Sequence, residues 1–208
     1  MKILLTAFEP FGGERINPAQ EVAGRVPDTV GGARIIRLTV PVIYGASIDT
    51  VLDAMRREAP GAVVCLGQAG GRRAITPERI AVNLQDSGQR DNAGVLATDR
   101  PVYADGDAAF FSTLPVRAMV RSIREAGVPA ELSLSAGSFV CNHLMYGVLY
   151  HIRRSFPGML GGFVHLPYLD SQVQDRPGVP SLSLQQMTRG IEAALAAVAE
   201  KLKKGEGA

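Results

Sequence analysis

Two side chains in this sequence can do covalent chemistry in concert. Cys141 stands in Ser135-Ala136-Gly137-Ser138-Phe139-Val140-Cys141-Asn142-His143, between a strand-like run from Glu131 to Ser135 and a helical run beginning near Asn142. A cysteine at a helix start meets unpaired amides and the positive end of the macrodipole, which favour the carbonyl-attacking thiolate over the thiol. The competing reading is a buried, inert cysteine, because free cysteine is among the most buried residue types. His165, followed by Leu166 and Pro167, ends the Gly162-Phe163-Val164 run, so its ring can project at the edge of a sheet. An imidazole beside a thiol accepts its proton and then protonates a leaving amine, which is the core of a thiol hydrolase. A third group must orient the ring. Glu78, after Pro77 and before Arg79-Ile80-Ala81-Val82-Asn83, is a candidate carboxylate, with an ordinary surface glutamate as the alternative.

Other combinations carry less. Cys141-Asn142-His143 has metal-ligating residue types, yet there is no paired Cys-x-x-Cys and no His-Glu-x-x-His, so neither zinc nor another metal is expected. His143 and His151 share a helical run without a carboxylate at ligand spacing and read as structural. Gly67-Gln68-Ala69-Gly70-Gly71 is neither Gly-x-x-x-x-Gly-Lys-Ser/Thr nor Gly-x-Gly-x-x-Gly; tight turning and close backbone approach to a small ligand account for it, and no cofactor is implied. Cys65, inside Val63-Val64-Cys65-Leu66, reads as a buried thiol.

The elements that must position these residues alternate between short β-rich and longer helical runs. Strands are expected at Lys2 to Thr6, Ala33 to Val40, Ala62 to Leu66, Arg79 to Asn83, Glu131 to Ser135 and Gly162 to His165. Helical spacing relates Ile48, Val51, Leu52 and Met55; more loosely Phe111, Leu114, Met119 and Ile123; then Leu144, Met145, Val148, Leu149 and Ile152; and finally Met187, Ile191, Ala194, Leu195 and Val198. This alternation predicts a three-layer α/β/α fold with a mostly parallel, twisted sheet. In such sheets functional residues gather beyond the carboxyl ends of the strands, which brings the segments after Thr6 and Leu66, Cys141 and His165 to one crevice.

At 208 residues, with no polar or low-complexity linker, the chain reads as one domain over 1–208 with a short flexible tail at 203–208. A hydrophobic content of 46%, a charged content of 20% and a net charge of +2 fit a soluble globular protein and give no reason to expect nucleic acid or a membrane as partner. The pairs Arg72-Arg73 and Arg153-Arg154 read as solvated surface. Neither a secretory core nor an apolar run approaching the ~20 residues of a membrane span is present, and two cysteines make no disulfide framework, so a cytoplasmic location is expected.

Taken together, Thr6-Ala7-Phe8-Glu9-Pro10-Phe11-Gly12-Gly13 with Asn17-Pro18, Leu66-Gly67-Gln68-Ala69-Gly70-Gly71-Arg72 leading to Glu78-Arg79-Ile80-Ala81-Val82-Asn83, the Cys141 segment, and Gly162-Phe163-Val164-His165-Leu166-Pro167-Tyr168 resemble the type I pyroglutamyl peptidases (pyrrolidone-carboxylate peptidases) over essentially the whole chain. The resemblance implies a cytosolic cysteine exopeptidase that removes an amino-terminal pyroglutamyl residue from peptides through a thioester, with Cys141 as nucleophile, His165 as acid and base, and Glu78 orienting the ring. It further implies a homo-oligomer, tetrameric in some relatives. By the same resemblance, Phe8, Phe11, Phe139 and Val140 would enclose the pyrrolidone ring in an apolar pocket, while backbone groups near Gln68, with the Asn17 side chain as a further candidate, would receive the lactam amide.

Such a pocket suits a neutral lactam. Aromatic walls bury ring methylenes at about 0.8 kcal/mol each, and an ordinary ammonium terminus would be rejected by its desolvation cost. One stretch departs from the family: where an Arg-Ile-Pro-Asp-Asn type loop is usual, this chain has Gly88-Gln89-Arg90-Asp91-Asn92, with Gln89 at an apolar pocket position. Two other classes compete with the peptidase. A phosphate-dependent nucleoside transferase would follow from the α/β pattern and the Gly-rich loop, and a non-catalytic ligand-binding protein could share the same fold.

Overall fold

The computed structural model describes residues 1–205. In chain order its elements are β1 (Lys2–Phe8), α1 (Pro18–Arg25), β2 (Thr29–Val30), β3 (Ala33–Val40), α2 (Ala46–Glu58), β4 (Ala62–Gln68), β5 (Thr76–Pro77), β6 (Ile80–Val82), β7 (Ala109–Phe111), α3 (Val116–Glu125), α4 (Val140–Ser155), β8 (Leu160–Leu166), β9 (Tyr168–Leu169), a 3-10 turn (Asp170–Gln172), β10 (Ser181–Leu182) and α5 (Leu184–Gly205). The main sheet has the order β2-β3-β1-β4-β8-β5. Its inner strands β3, β1, β4 and β8 run parallel, and the short edge strands β2 and β5 run antiparallel to their neighbours.

Strand alternation sends successive side chains to opposite faces. Ile3 and Leu5 of β1 pack in a core with Val22 of α1, Met119 of α3 and Leu195 of α5. Leu4 packs on the other face with Val51 of α2 and Leu144 of α4. Helices therefore cover both faces, which is why β4 reads as an unbroken apolar run and is buried along its whole length. The expected three-layer arrangement is the one found. No helix among the described residues is long and apolar enough to cross a membrane.

Several boundaries differ from the sequence reading. The strands expected at Lys2 to Thr6, Ala62 to Leu66 and Gly162 to His165 each run further, to Phe8, Gln68 and Leu166. Arg79 to Asn83 contributes only Ile80–Val82, and β6 pairs with β7 in a separate two-stranded sheet. Glu131 to Ser135 is not a strand. Residues 130–133 run beside β5 through the isolated bridges Ile75↔Ala130 and Glu78↔Ser133 without forming a continuous ladder, and Leu134 is left 71% exposed. Phe111 belongs to β7 and Leu114 precedes α3, so their helical spacing with Met119 is accidental. Helix α1 was not anticipated, although Asn17-Pro18 is its start signal: the Asn17 side chain accepts from the Ala19 amide at 3.0 Å, and Pro18 occupies the first turn. Of the expected tail, Lys203, Lys204 and Gly205 continue α5, and 206–208 lie outside the described residues.

Candidate active site

The register of the sheet places the chemistry. Gly67 of β4 is the partner of His165 on β8, and Thr76 of β5 faces the same histidine from the other side. Two residues beyond Thr76, Glu78 donates its amide to the Phe163 carbonyl at 2.9 Å, which holds its side chain diagonally across from His165. Glu78 Oε1 lies 2.7 Å from His165 Nδ1, with both side chains essentially buried. That contact puts the proton on Nδ1 and leaves Nε2 as the unprotonated ring nitrogen.

Cys141 reaches this pair from α4. It is the second residue of the helix rather than the residue before it, since Phe139 is the extended N-cap. The fully buried Asn142 fixes the approach: its side chain accepts from the Val82 amide at 2.9 Å and donates to the Val82 and Leu84 carbonyls at 2.9 and 3.0 Å. Helix α4 is thereby tied to the strand that follows Glu78. The sulfur comes to rest over Gly67, so close that a Cβ added there would sit 3.2 Å from Sγ. Glycine at 67 makes room for the thiol beside His165. The other cysteine, Cys65, is buried on β4, and its thiol is pushed up to about 12 by burial.

The electrostatics differ from the thiolate expected at a helix start. Burial, with the Glu78 charge adding to it, pushes the Cys141 thiol up to about 12, and the nearby Arg72 pulls only partly in the other direction. Cys141 is therefore held as a neutral thiol and His165 as a neutral imidazole. His165 is held below its ordinary value first by burial, with the Glu78 contact opposing. A base that stays unprotonated is what a neutral thiol requires.

Arg72 is not the solvated surface residue that the sequence suggested. Its guanidinium meets Glu78 Oε1 at 2.6 Å, contacts Thr76 Oγ1 and donates to the Ser135 carbonyl at 3.0 Å. The other arginine pair does lie on the surface, where Arg153 meets Asp107 and Arg154 meets Asp105, each at 2.8 Å. His143 is structural as read: its Nε2 accepts from the Gly45 amide at 2.9 Å, and burial pulls the ring down to about 4. His151 pairs with the Tyr103 hydroxyl at 2.9 Å.

A cavity of about 420 Å³ opens onto Cys141 and His165. Phe11 and Phe139 form its aromatic wall, with ring centroids 6.2 Å apart, and Tyr44 meets Phe139 edge-on at 5.8 Å. Phe8 and Val140, expected in the same wall, are instead packed into the core at 2% and 0% exposure. Asn17 does not line the cavity either; its amide nitrogen donates to the Glu9 carbonyl at 2.9 Å while its oxygen caps α1, so both ends are engaged. Gln68 does line it, with its side-chain oxygen accepting from Gln172 at 2.9 Å. Polar side chains share the lining with these rings: Glu14, Arg72 and Gln89 border the same space, and Glu14 pairs with Arg176 at 3.0 Å. Gln89 is presented by a loop that Asp91 pins through the Tyr44, Ala93 and Val95 amides at 3.0, 3.0 and 2.8 Å. Arg90 donates to the Gly94 carbonyl and is not part of the lining. The glycine loop serves close packing: a Cβ at Gly70 would fall 2.2 Å from the Tyr168 ring.

A family model described as pyroglutamyl peptidase matches residues 1–201. Among curated proteins, the chain is 45% identical over 200 residues to a pyrrolidone-carboxylate peptidase of Clostridium botulinum, covering 96% of this chain and 94% of that protein. It is 47% identical over 212 residues to one of Streptococcus suis, covering 100% and 99%. Among solved structures, pyroglutamyl peptidase I from Bacillus amyloliquefaciens superposes with a TM-score of 0.92 at 39% identity, covering 95% of this chain and 94% of that one. A mutant pyrrolidone carboxyl peptidase from Pyrococcus furiosus gives 0.92 at 35%, covering 97% and 100%. These relatives give no support to a nucleoside transferase or a non-catalytic binding protein.

Proposed function

The chain belongs to the pyroglutamyl peptidase family, and from that premise we propose that Cys141, His165 and Glu78 are the triad with which it removes amino-terminal pyroglutamate from peptides. It is a cysteine-type hydrolase. The observation that carries the residue assignment is the buried 2.7 Å contact between Glu78 and His165 next to a thiol resting over Gly67.

The reaction follows from the neutral resting pair. As the substrate's acyl carbonyl reaches Sγ, His165 Nε2 takes the thiol proton in step with attack, and Glu78 stabilises the imidazolium that forms. The oxyanion is received by first-turn amides of α4, Cys141's own among them, which lack intrahelical acceptors. The imidazolium then protonates the departing amine, leaving a thioester on Cys141. Water, deprotonated by the same imidazole, releases pyroglutamate and restores the thiol. Phe11 and Phe139 cover the ring methylenes, and backbone groups at the end of β4 near Gln68 meet the lactam.

The same reading has the chain act as one peptidase domain over 1–208, for which the support is the family model's match over 1–201; a cytoplasmic homo-oligomer is carried by the family resemblance alone. Hydrolysis of pyroglutamyl p-nitroanilide, with and without prior iodoacetamide, tests the function. Turnover that disappears on alkylation is expected. Failure to cleave the anilide, or cleavage that requires phosphate and ignores alkylation, overturns it.

A further inference from the structure

Glu78 Oε1 accepts from two sides, His165 Nδ1 at 2.7 Å and Arg72 Nη1 at 2.6 Å, while Oε2 has no partner among the described residues. The Glu78 side chain is 0% exposed and that of Arg72 27%. A carboxylate buried this deeply beside a neutral imidazole needs a cation against it to offset its desolvation. The guanidinium is that cation. It also has a second grip, because Nη2 donates to the Ser135 carbonyl at 3.0 Å on the segment leading into Cys141. One side chain thus bonds the segments that carry the carboxylate and the thiol, from the glycine loop at the end of β4.

We propose that Arg72 is a positioning residue for the hydrolysis assigned above, holding Glu78 aimed at His165 and sharing its charge, so that it acts on the imidazole and the thiol together. The inference rests on the triad reading. Its content is a division of Glu78's charge. With Arg72 present, part of the carboxylate's field is neutralised, which adds to burial in keeping His165 an unprotonated base; with Arg72 removed, the whole negative charge falls on the imidazole and the thiol. Both groups are then harder to deprotonate. The other titratable groups bordering the cavity are Glu14, which is paired with Arg176, and Tyr168. Neither touches the shared oxygen.

The test uses the full chain in a Cys65→Ser background, with Arg72→Met and Arg72→Gln as two neutral variants and Arg72→Lys as the charge-retaining one. Two curves are measured against pH: the rate of Cys141 alkylation by iodoacetamide, which needs no substrate, and kcat/KM for pyroglutamyl p-nitroanilide. In the neutral variants both curves should move to higher pH by about one unit, the size of one nearby charge, with kcat/KM at neutral pH down about tenfold or more. In Arg72→Lys the curves should move less than half as far. A folded neutral variant whose curves superpose on the parent's overturns the proposal, as does an Arg72→Lys shift equal to that of the neutral variants. If the alkylation curve shifts as expected but the parent cleaves no pyroglutamyl amide, the peptidase reading fails and the role of Arg72 stands.

Discussion

The sulfur of Cys141 rests against the bare α-carbon of Gly67, the residue whose register partner is His165. A methyl group at 67 would come within 2.7 Å of the Phe163 ring and 3.2 Å of Sγ. Gly67→Ala should therefore displace the thiol from the imidazole while costing about 1–3 kcal/mol of stability through overpacking. A misplacement near 1 Å can lower turnover about a hundredfold. Steady-state kinetics together with urea unfolding measure both effects, and an alanine variant with parental kcat would mean that the thiol works from some other position.

The two cysteines should behave in opposite ways. Cys65 lies inside β4, at 0% exposure and away from the cavity, whereas Cys141 lines the cavity beside His165. Cys141→Ala is expected to abolish hydrolysis and Cys65→Ser to leave it nearly intact. Kinetics of the two purified, folded variants decide this, and equal losses would refute the nucleophile assignment.

Glu78→Gln keeps a hydrogen-bonding oxygen for His165 Nδ1 but removes the charge that stabilises imidazolium. It also leaves Arg72 facing a neutral group. Loss of the comparable carboxylate in a serine protease lowers turnover about 10⁴-fold; a smaller loss is expected here, since thiolate is intrinsically more nucleophilic than a serine hydroxyl. Single-turnover rates, with folding checked by circular dichroism, should show a slow but not inactive enzyme. Parental rates in folded Glu78→Gln would send the search for the orienting group elsewhere.

His143 predicts a pH dependence of stability. Burial holds its folded value near 4, while an unfolded histidine titrates near ~6.5. Between those values the unfolded chain binds the extra proton, so stability rises with pH across this window and falls as the solution is acidified through it. The shift corresponds to roughly 3 kcal/mol once the pH is well below 4. His143→Gln, which retains an acceptor for the Gly45 amide, should lose distinctly less stability than the parent between pH 7 and pH 4.5. Urea unfolding at the two pH values measures the difference, and identical losses would mean that the ring is not held neutral by the fold.

The sequence by itself determined the three residue types that the proposed triad draws on, the α/β alternation and the parallel inner strands. Each of these follows from local pattern: apolar runs too short for anything but buried strands, helical spacing between them, and a thiol, an imidazole and a carboxylate at the ends of those runs. What it could not decide depends on which segments become neighbours across the sheet. Arg72 looked like half of a surface pair because nothing within a few residues of it announces Glu78 or Ser135; the contact exists only because the antiparallel edge strand β5 folds back beside β8. Phe8 and Phe11 stand three apart in one loop motif, yet the longer β1 carries Phe8 into the core and leaves Phe11 to the cavity. Cys141 reads locally as a thiolate at a helix start, whereas in the folded chain burial and the Glu78 charge outweigh the helix end and keep it a thiol. Desolvation depends on the whole surroundings of an atom, and those are assembled only when distant segments meet.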